Sequence, residues 1–194
     1  MCTTKSMLLR KDSVYCPDDT DSHSDMLTRL GIKDDNKNPD FVRIEIIPPN
    51  MDYFATINEW IYKVDQDFRP DWYVKEYDKQ RAYKALSEWA ENHIFIGRED
   101  FEINGGGVFW LKDCKNVICS DSATVKAYGS ATVEAYGSAT VKACDSATVV
   151  LPGWASSKLN QFIISDNSTL KDCRTKTIYQ SGSWKFVEAE GQLK

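Results

Sequence analysis

The sequence predicts an α+β protein in which a small N-terminal α/β domain precedes a β-solenoid of octapeptide repeats. Four consecutive eight-residue units occupy residues 122–153 and share the core pattern Ser-Ala-Thr-Val. Residues 71–93 carry apolar side chains at helical spacing, and residues 41–47 alternate in the manner of a strand. Fixed short repeats indicate a solenoid, whereas the helix and strand before them indicate a separate α/β domain.

The repeat extends beyond the units that are obvious by eye. If Ser122 occupies the first of eight slots, the fourth slot holds Val125, and stepping back by eight residues reaches Val117 and Phe109. A five-residue insertion after Gly153 restores the spacing. The fourth slot then holds Phe162, Leu170, Ile178 and Phe186. We therefore assign residues 106–190 to the repeat domain, with six octads before the insertion and four after it.

Side chains alternate along each octad. Slots two, four and six are mostly Ala, Val and Ala, whereas slots three, five and seven are mostly Thr, a charged residue and Tyr. Slot eight is Gly or Asp, residues that tolerate turn conformations. This pattern predicts a six-residue strand with one small apolar face, followed by a two-residue corner. Two octads, sixteen residues, would then form one coil of a flattened solenoid.

An antiparallel β-meander is the alternative fold. In a sixteen-residue coil Lys126 stacks on Lys142, whereas in a meander Lys126 faces Glu134 and gains a favourable charge pair. The charge alternation thus favours the meander. However, a meander leaves its broad Ala-Val-Ala face uncovered, and identical octads specify strand register poorly. We prefer the solenoid for these two reasons.

The N-terminal half divides at about residue 40. Residues 1–40 form a polar, acidic segment with one short helix, in which Met26, Leu27 and Leu30 share a face and Asp21 or Ser22 supplies the cap. Residues 41–105 form an α/β capping domain. It contains the strand 41–47, the amphipathic helix 71–93 started by Pro70 and Asp71, and a buried strand at 94–97. The glycine run 105–107 is a hairpin turn or the cap of the repeat array.

Composition limits the classes of partner. The formal charge of −5 and the isoelectric point near 5.1 disfavour direct nucleic-acid binding, which requires clustered Lys and Arg. No apolar run approaches the ~18 residues of a membrane span, and the first ten residues lack a signal-peptide core. We therefore expect a cytoplasmic protein whose six cysteines are thiols, and a basic or neutral protein partner.

At the repeat, the chain resembles a loosely defined group of proteins from gut bacteria and their phages. These proteins carry variable numbers of Ala-Thr-Val-Lys/Glu-Ala-Tyr-Gly/Asp-Ser units, which match residues 122–153 well. The helix, the strand at 94–97 and residues 109–117 are also similar to what precedes such arrays. The resemblance implies the architecture and a bacterial or phage origin, and it assigns no functional residue.

No catalytic or metal-binding constellation is legible in the sequence. Asp18, Asp19, Asp21 and Asp25 lie near His23, but the glycine and glutamate of a calcium loop are missing. No C-x2-C pair is present, and Cys114 and Cys119, which four residues separate, have no second pair in register. His93 lies on the apolar face at the end of the helix, where a packed structural histidine is expected. We therefore predict no cofactor, no metal and no catalytic residue.

The leading functional hypothesis is a non-enzymatic protein-binding scaffold. Its candidate interaction surface comprises the outward repeat residues Thr124, Lys126, Tyr128, Thr132, Glu134 and Tyr136, and the acidic residues Asp18, Asp19, Asp21, Asp34 and Asp35. The outward tyrosines have an alternative role, which is to stack on one another in successive rungs. A second hypothesis is a phage-encoded, anti-CRISPR-like inhibitor that presents its acidic surface to a bacterial defence or nucleic-acid enzyme. A third is an enzyme with a pocket between the two domains.

Overall fold

A computed structural model describes residues 4–35, 37–154 and 161–182 of the chain. The chain divides into two compact units, residues 1–95 and 96–194. This division differs from the boundaries at residues 40 and 105 that the sequence suggested. The acidic segment contributes a strand to the first unit, and strands that precede residue 106 belong to the sheets of the repeat.

The described elements comprise two α-helices, two 3₁₀-helices and fifteen strands. In chain order they are β1 (Lys5–Leu9), β2 (Val14–Tyr15), α1 (His23–Arg29), β3 (Val42–Ile47), 3₁₀-helices at Pro49–Met51 and Ile57–Glu59, β4 (Ile61–Val64), α2 (Lys75–His93), β5 (Ile94–Ile96), β6 (Glu99–Ile103), β7 (Gly107–Lys112), β8 (Lys115–Cys119), β9 (Ala123–Tyr128), β10 (Thr132–Ala135), β11 (Thr140–Ala143), β12 (Thr148–Leu151), β13 (Gln161–Ile164), β14 (Thr169–Asp172) and β15 (Thr177–Gln180). Within the described ranges, no helix is both long enough and apolar enough to cross a bilayer.

The first unit is built on a four-stranded antiparallel sheet with the order β2-β1-β3-β4. β1 lies at its centre and is buried along its whole length, including the polar residues Lys5 and Ser6. Both helices contact β1. Leu8 packs with Met26, Leu27 and Phe41 in the core between α1 and the sheet. The segment that looked polar in sequence therefore supplies the central strand.

The two helices follow the predicted patterns with one correction. Ser22 caps α1, because its hydroxyl accepts a hydrogen bond from the Asp25 amide at 3.2 Å. α2 begins at Lys75 rather than Asp71. The amide of Tyr73 bonds to the Pro70 carbonyl in a turn, and the buried Asp78 carboxylate accepts from the amide of the N-cap residue Val74 at 2.8 Å, so the helix begins four residues later.

The second unit is a β-solenoid, as the repeat predicted. Its strands form a six-stranded sheet, β15-β14-β12-β10-β8-β6, and a five-stranded sheet, β13-β11-β9-β7-β5. The repeat strands from β6 to β14 pair in parallel, and Val133 lies between Val117 and Val149, each sixteen residues away. One coil therefore contains two octads. Because a meander would pair these strands antiparallel, that alternative is wrong.

In the four regular octads, the solenoid core consists mainly of the small side chains in slots two, four and six. They are Ala123, Val125, Ala127, Ala131, Val133, Ala135, Ala139, Val141, Ala143, Ala147 and Val149, each at most 1% exposed. Alanine at two of three inward slots lets the two sheets approach closely, so a thin core suffices. Each buried valine stabilises the fold by about 1.5 kcal/mol or more. A single octad could not bury its valine, because the core forms only between neighbouring units.

The register continues after the five-residue insertion through residue 172 but is lost in the octad at residues 175–182. Phe162 pairs with Val141 and Leu170 with Val149, each offset by one coil plus the insertion. Ile178, however, is 62% exposed, because β15 returns antiparallel to β14. The Asp172 carboxylate accepts bonds from the Arg174 amide and guanidinium at 2.9–3.0 Å and so fixes the reversing turn. Phe186 lies outside the described residues.

The corners of the coil use the turn residues of slot eight. Asp113, Asp121, Asp145, Gly129 and Gly137 all adopt positive φ, which aspartate and glycine tolerate. The glycine run at 105–107 forms another corner, between β6 and β7, rather than a hairpin. Successive corners also bond to each other. The Asp113 carboxylate accepts from the amide and hydroxyl of Ser130 at 2.8 and 3.0 Å, which holds the pKa of Asp113 below its usual value.

Gly129→Ala is expected to destabilise the solenoid more than Gly97→Ala. Both glycines have φ near +63°, so alanine carries the same conformational cost, about 1–2 kcal/mol, at each. An added Cβ at Gly129 would also lie 2.8 Å from the Asp113 Cγ, whereas at Gly97 nothing lies within 4 Å. Urea unfolding should give a lower midpoint for Gly129→Ala. Equal midpoints would show that the Asp113 side chain moves aside freely.

Candidate interaction surface

The coil separates the predicted repeat residues onto the outer faces of different sheets. Eight residues are half a coil, so consecutive octads alternate between the two sheets. Thr124, Lys126 and Tyr128 belong to β9 in the five-stranded sheet, whereas Thr132 and Glu134 belong to β10 in the six-stranded sheet, with Tyr136 directly after it. The six residues therefore form two surfaces rather than one.

The tyrosines do not stack on each other. Tyr128 pairs in register with Lys112 of β7. Tyr136 packs instead against Trp154, with ring centroids 5.1 Å apart and an interplanar angle of 55°. The alternative of a Tyr-over-Tyr ladder is wrong, because two octads, not one, separate stacked positions.

The same separation sorts the alternating charges by sheet. Lys126 pairs in register with Lys142 on the five-stranded sheet, while Glu134 lies on the other. The Lys126 ammonium lies 4.8 Å from the centroid of the Trp110 ring, a favourable cation–π contact. Burial, and secondarily the charge of Lys142, lowers the pKa of Lys126. The two lysines therefore share the five-stranded sheet, and Glu134 lies on the six-stranded sheet, which also carries Lys171.

One column of the six-stranded face alternates carboxylate and apolar side chains. Glu102 lies beside Ile118, Ile118 beside Glu134 and Glu134 beside Val150, because these residues pair in register across β6, β8, β10 and β12. Adjacent strands are about 4.8 Å apart, which places the two glutamates about 10 Å from each other. The acidic and apolar stripe thus spans β6 to β12, and the column ends in Lys171 of β14, which pairs in register with Val150.

A shallow groove of about 480 Å³ follows this column. Its lining consists of Asp100, Phe101, Glu102, Asn116, Ile118, Thr132, Glu134 and Val150. Asp100 accepts a 2.8 Å hydrogen bond from Asn116, and Glu102 a 3.4 Å bond from Asn104. The half-buried carboxylate of Glu134 makes no hydrogen bond or ion pair with any described residue. It is therefore available to an external donor.

An aromatic pair adjoins the groove. Tyr136 follows Glu134 by two residues, so both side chains leave the same face of the sheet. Trp154, against which Tyr136 packs, is 69% exposed. Sequence reasoning missed Trp154 because it lies directly after the turn residue Gly153, where the repeat is interrupted. The sequence feature that could have indicated it is a tryptophan at a position where the repeat has no apolar slot.

The acidic residues predicted as an interaction surface make intramolecular contacts. Asp19 pairs with Arg29 through two bonds of 2.7 and 3.0 Å, Asp21 accepts from the Lys5 ammonium at 2.9 Å, Asp34 pairs with Arg43, Asp35 accepts from the Lys37 amide, and Asp18 lies 3.8 Å from His93. The bidentate bond from Arg29 lowers the pKa of Asp19. These residues stabilise the first unit, and Asp18 is the most exposed of those that form ion pairs, at 73%.

Net charge is unevenly divided between the units. Residues 1–95 contain 13 Lys and Arg and 18 Asp and Glu, whereas residues 96–194 contain 11 of each. The whole formal charge of −5 therefore belongs to the first unit. The solenoid unit is neutral in total, with Lys126 and Lys142 in the five-stranded sheet and Glu102 and Glu134 in the six-stranded sheet.

The remaining titratable groups are arranged for packing. His93 is 4% exposed, stacks on Trp89 with ring centroids 4.7 Å apart, and its Nδ1 bonds to the Trp89 carbonyl at 2.8 Å, which confirms a structural histidine. Burial lowers its pKa.

Burial raises the pKa of Cys119 to about 12 and of Cys16 to about 11, so both are thiols at neutral pH. The described residues contain no group of three or more His, Cys, Asp or Glu placed to bind a metal.

Comparisons with known proteins give no relative of this chain. No protein-family model, no curated protein and no solved structure matches it.

Proposed function

We propose that this chain is a non-enzymatic protein-binding scaffold of bacterial or phage origin that acts in the bacterial cytoplasm. Its interaction surface is the outer face of the six-stranded sheet. The observation that carries the proposal is the column of Glu102, Ile118, Glu134 and Val150 along an open groove. Stacked coils hold these side chains on a rigid backbone, so the scaffold loses little conformational entropy when a partner binds.

The chemistry of the column favours a basic partner. Apolar side chains at the centre of an interface supply burial, and charged groups around them supply orientation and faster association. Here Ile118 and Val150 provide the apolar surface, and Glu102 and Glu134 provide the charged groups. A partner surface with apolar residues between lysines or arginines would complement both.

Site-specific photo-crosslinking tests which face binds. A benzoylphenylalanine introduced at position 118 lies in the groove, whereas one at position 140 lies on the outer face of the five-stranded sheet. In a bacterial lysate, we expect a defined protein to crosslink from position 118 and not from position 140. The same crosslinked protein from both positions, or none from position 118, would contradict the proposal.

Two charge reversals in matched octads provide a quantitative test. Glu134→Lys should weaken binding of the crosslinked protein about fivefold to tenfold, because it places a cation in the groove. Lys142→Glu occupies the same slot of the next octad on the other sheet and should leave the affinity unchanged. Both dissociation constants are measured with purified partner, after thermal unfolding shows both variants to be folded. Equal losses of affinity for the two variants would contradict the assignment of the binding surface to the six-stranded sheet.

A second candidate function is inhibition of a bacterial defence or nucleic-acid enzyme. It is supported by the concentration of the whole −5 charge in the first unit. An acidic surface of this kind competes with nucleic acid for a basic groove. If the crosslinked partner is a nuclease, adding this protein should release bound DNA with a salt-dependent affinity. Unchanged DNA binding at saturating protein would exclude this function.

A further inference from the structure

Three side chains at one end of the groove combine a carboxylate with two aromatic rings. Glu134 and Tyr136 leave the same face of the sheet about 6.8 Å apart along the chain. Trp154 packs against the Tyr136 ring at 5.1 Å and remains 69% exposed. Val150 flanks Glu134 in register.

These groups complement a cation that is also flat and weakly hydrated. A carboxylate attracts any cation, and the face of an exposed tryptophan attracts a cation through its quadrupole. A guanidinium satisfies both at once, because its planar group stacks on an aromatic ring while its N–H groups bond to a carboxylate. A lysine ammonium is more strongly hydrated and gains less from the ring.

We infer that Glu134, Tyr136 and Trp154 form a binding site for an arginine side chain of the partner protein. This inference rests on the proposed function, since it names the chemistry of the partner at the same face. The guanidinium stacks on the exposed Trp154 ring while its N–H groups bond to the Glu134 carboxylate, and its aliphatic stem lies against Val150. The site has its charge complement built in, because the Glu134 carboxylate is unpaired among the described residues.

The probe for this site is acetyl-arginine amide, with acetyl-lysine amide and methyl glucoside as comparisons. Each is titrated into ¹⁵N-labelled protein, and the Trp154 indole N–H resonance, assigned through Trp154→Phe, reports binding. We expect acetyl-arginine amide to shift this resonance with an affinity about threefold higher than acetyl-lysine amide. Glu134→Gln should weaken arginine binding about fivefold, and Lys142→Gln, on the opposite sheet, should leave it unchanged.

Each other result overturns the inference. Equal affinity for acetyl-arginine amide and acetyl-lysine amide would show that the aromatic rings do not select the guanidinium. A shift with methyl glucoside alone would indicate a sugar-binding site. No shift with any probe would show that the three side chains bind none of them. The proposed function is judged separately. Suppose that the crosslinked partner binds Trp154→Ala as tightly as wild type, yet binds Ile118→Asp at least tenfold more weakly. That result would support the protein-binding face and contradict the arginine site.

Discussion

Deletion of residues 130–145 is expected to give a folded, shorter solenoid, whereas deletion of residues 130–137 is expected to disrupt it. The first deletion removes one whole coil, β10 and β11, and joins Gly129 to Ser146. β12 then still enters the six-stranded sheet, with Val149 beside Val117. Repeat proteins are stabilised mainly between neighbouring units, so the loss of one internal coil changes the free energy of unfolding only modestly.

The eight-residue deletion removes half a coil, and every later strand must then change sheets. The central octads tolerate the exchange because they share inward residues. β13 pairs with β11, and the hairpin fixed by Asp172 and Arg174 pairs with β12, so we expect neither to fit the opposite sheet. We expect a loss of about 3 kcal/mol or more, as in other disrupted cores.

Circular dichroism and limited proteolysis distinguish the two deletions. The sixteen-residue deletion should retain a cooperative thermal transition and resistance to protease in the repeat, and the eight-residue deletion should lose both. A duplication of residues 130–145 is the matched control for altered length and should also fold. Equal stability of the two deletions would mean that octads, not coils, are the units of this fold.

The solenoid was predictable because burial outweighs the pairing of surface charges. Inward Ala and Val recur through the four octads of residues 122–153, and this repeated apolar face specifies a shared thin core. The charge alternation pointed to a meander, yet a cross-strand charge pair is worth only about 0.2–1 kcal/mol. The parallel register places Lys126 beside Lys142, and Trp110 offsets part of that repulsion through its cation–π contact with Lys126.

The ends of elements were less predictable because single side-chain contacts set them. The apolar period of eight continues through Ile178, but the Asp172 carboxylate reverses the chain before that residue reaches the core. The Asp78 carboxylate likewise delays the start of α2. The arginine site depends on Trp154, which lies outside any repeat slot, so periodicity alone did not indicate it.

Lys5 occupies an unusual position for a lysine in the middle of a buried strand. Its side chain is 2% exposed, and its ammonium donates to the Pro17 carbonyl and to the Asp21 carboxylate, the latter at 2.9 Å. It also lies 4.9 Å from the centroid of the Trp89 ring. Asp21 in turn accepts a bond from the Ser6 amide at 3.2 Å. One cation therefore ties the loop before α1 to the central strand of the first unit.

Lys5→Met is expected to lower the free energy of unfolding of the first unit by about 3 kcal/mol, since removal of one partner leaves a partly buried carboxylate uncompensated. Lys63→Met is the control. Lys63 makes an equally short 2.9 Å ion pair with Glu45, but its side chain is 53% exposed, so its loss should cost less than about 1 kcal/mol.

Hydrogen exchange of the β1 amides measures the effect of these substitutions in the first unit alone. The double variant Lys5→Met/Asp21→Asn should recover part of the loss, because the unpaired charge is then absent. If Lys5→Met cost no more than Lys63→Met, the ion pair would contribute no more than an exposed one. Burial of β1, rather than the Lys5–Asp21 contact, would then hold the loop before α1 in place.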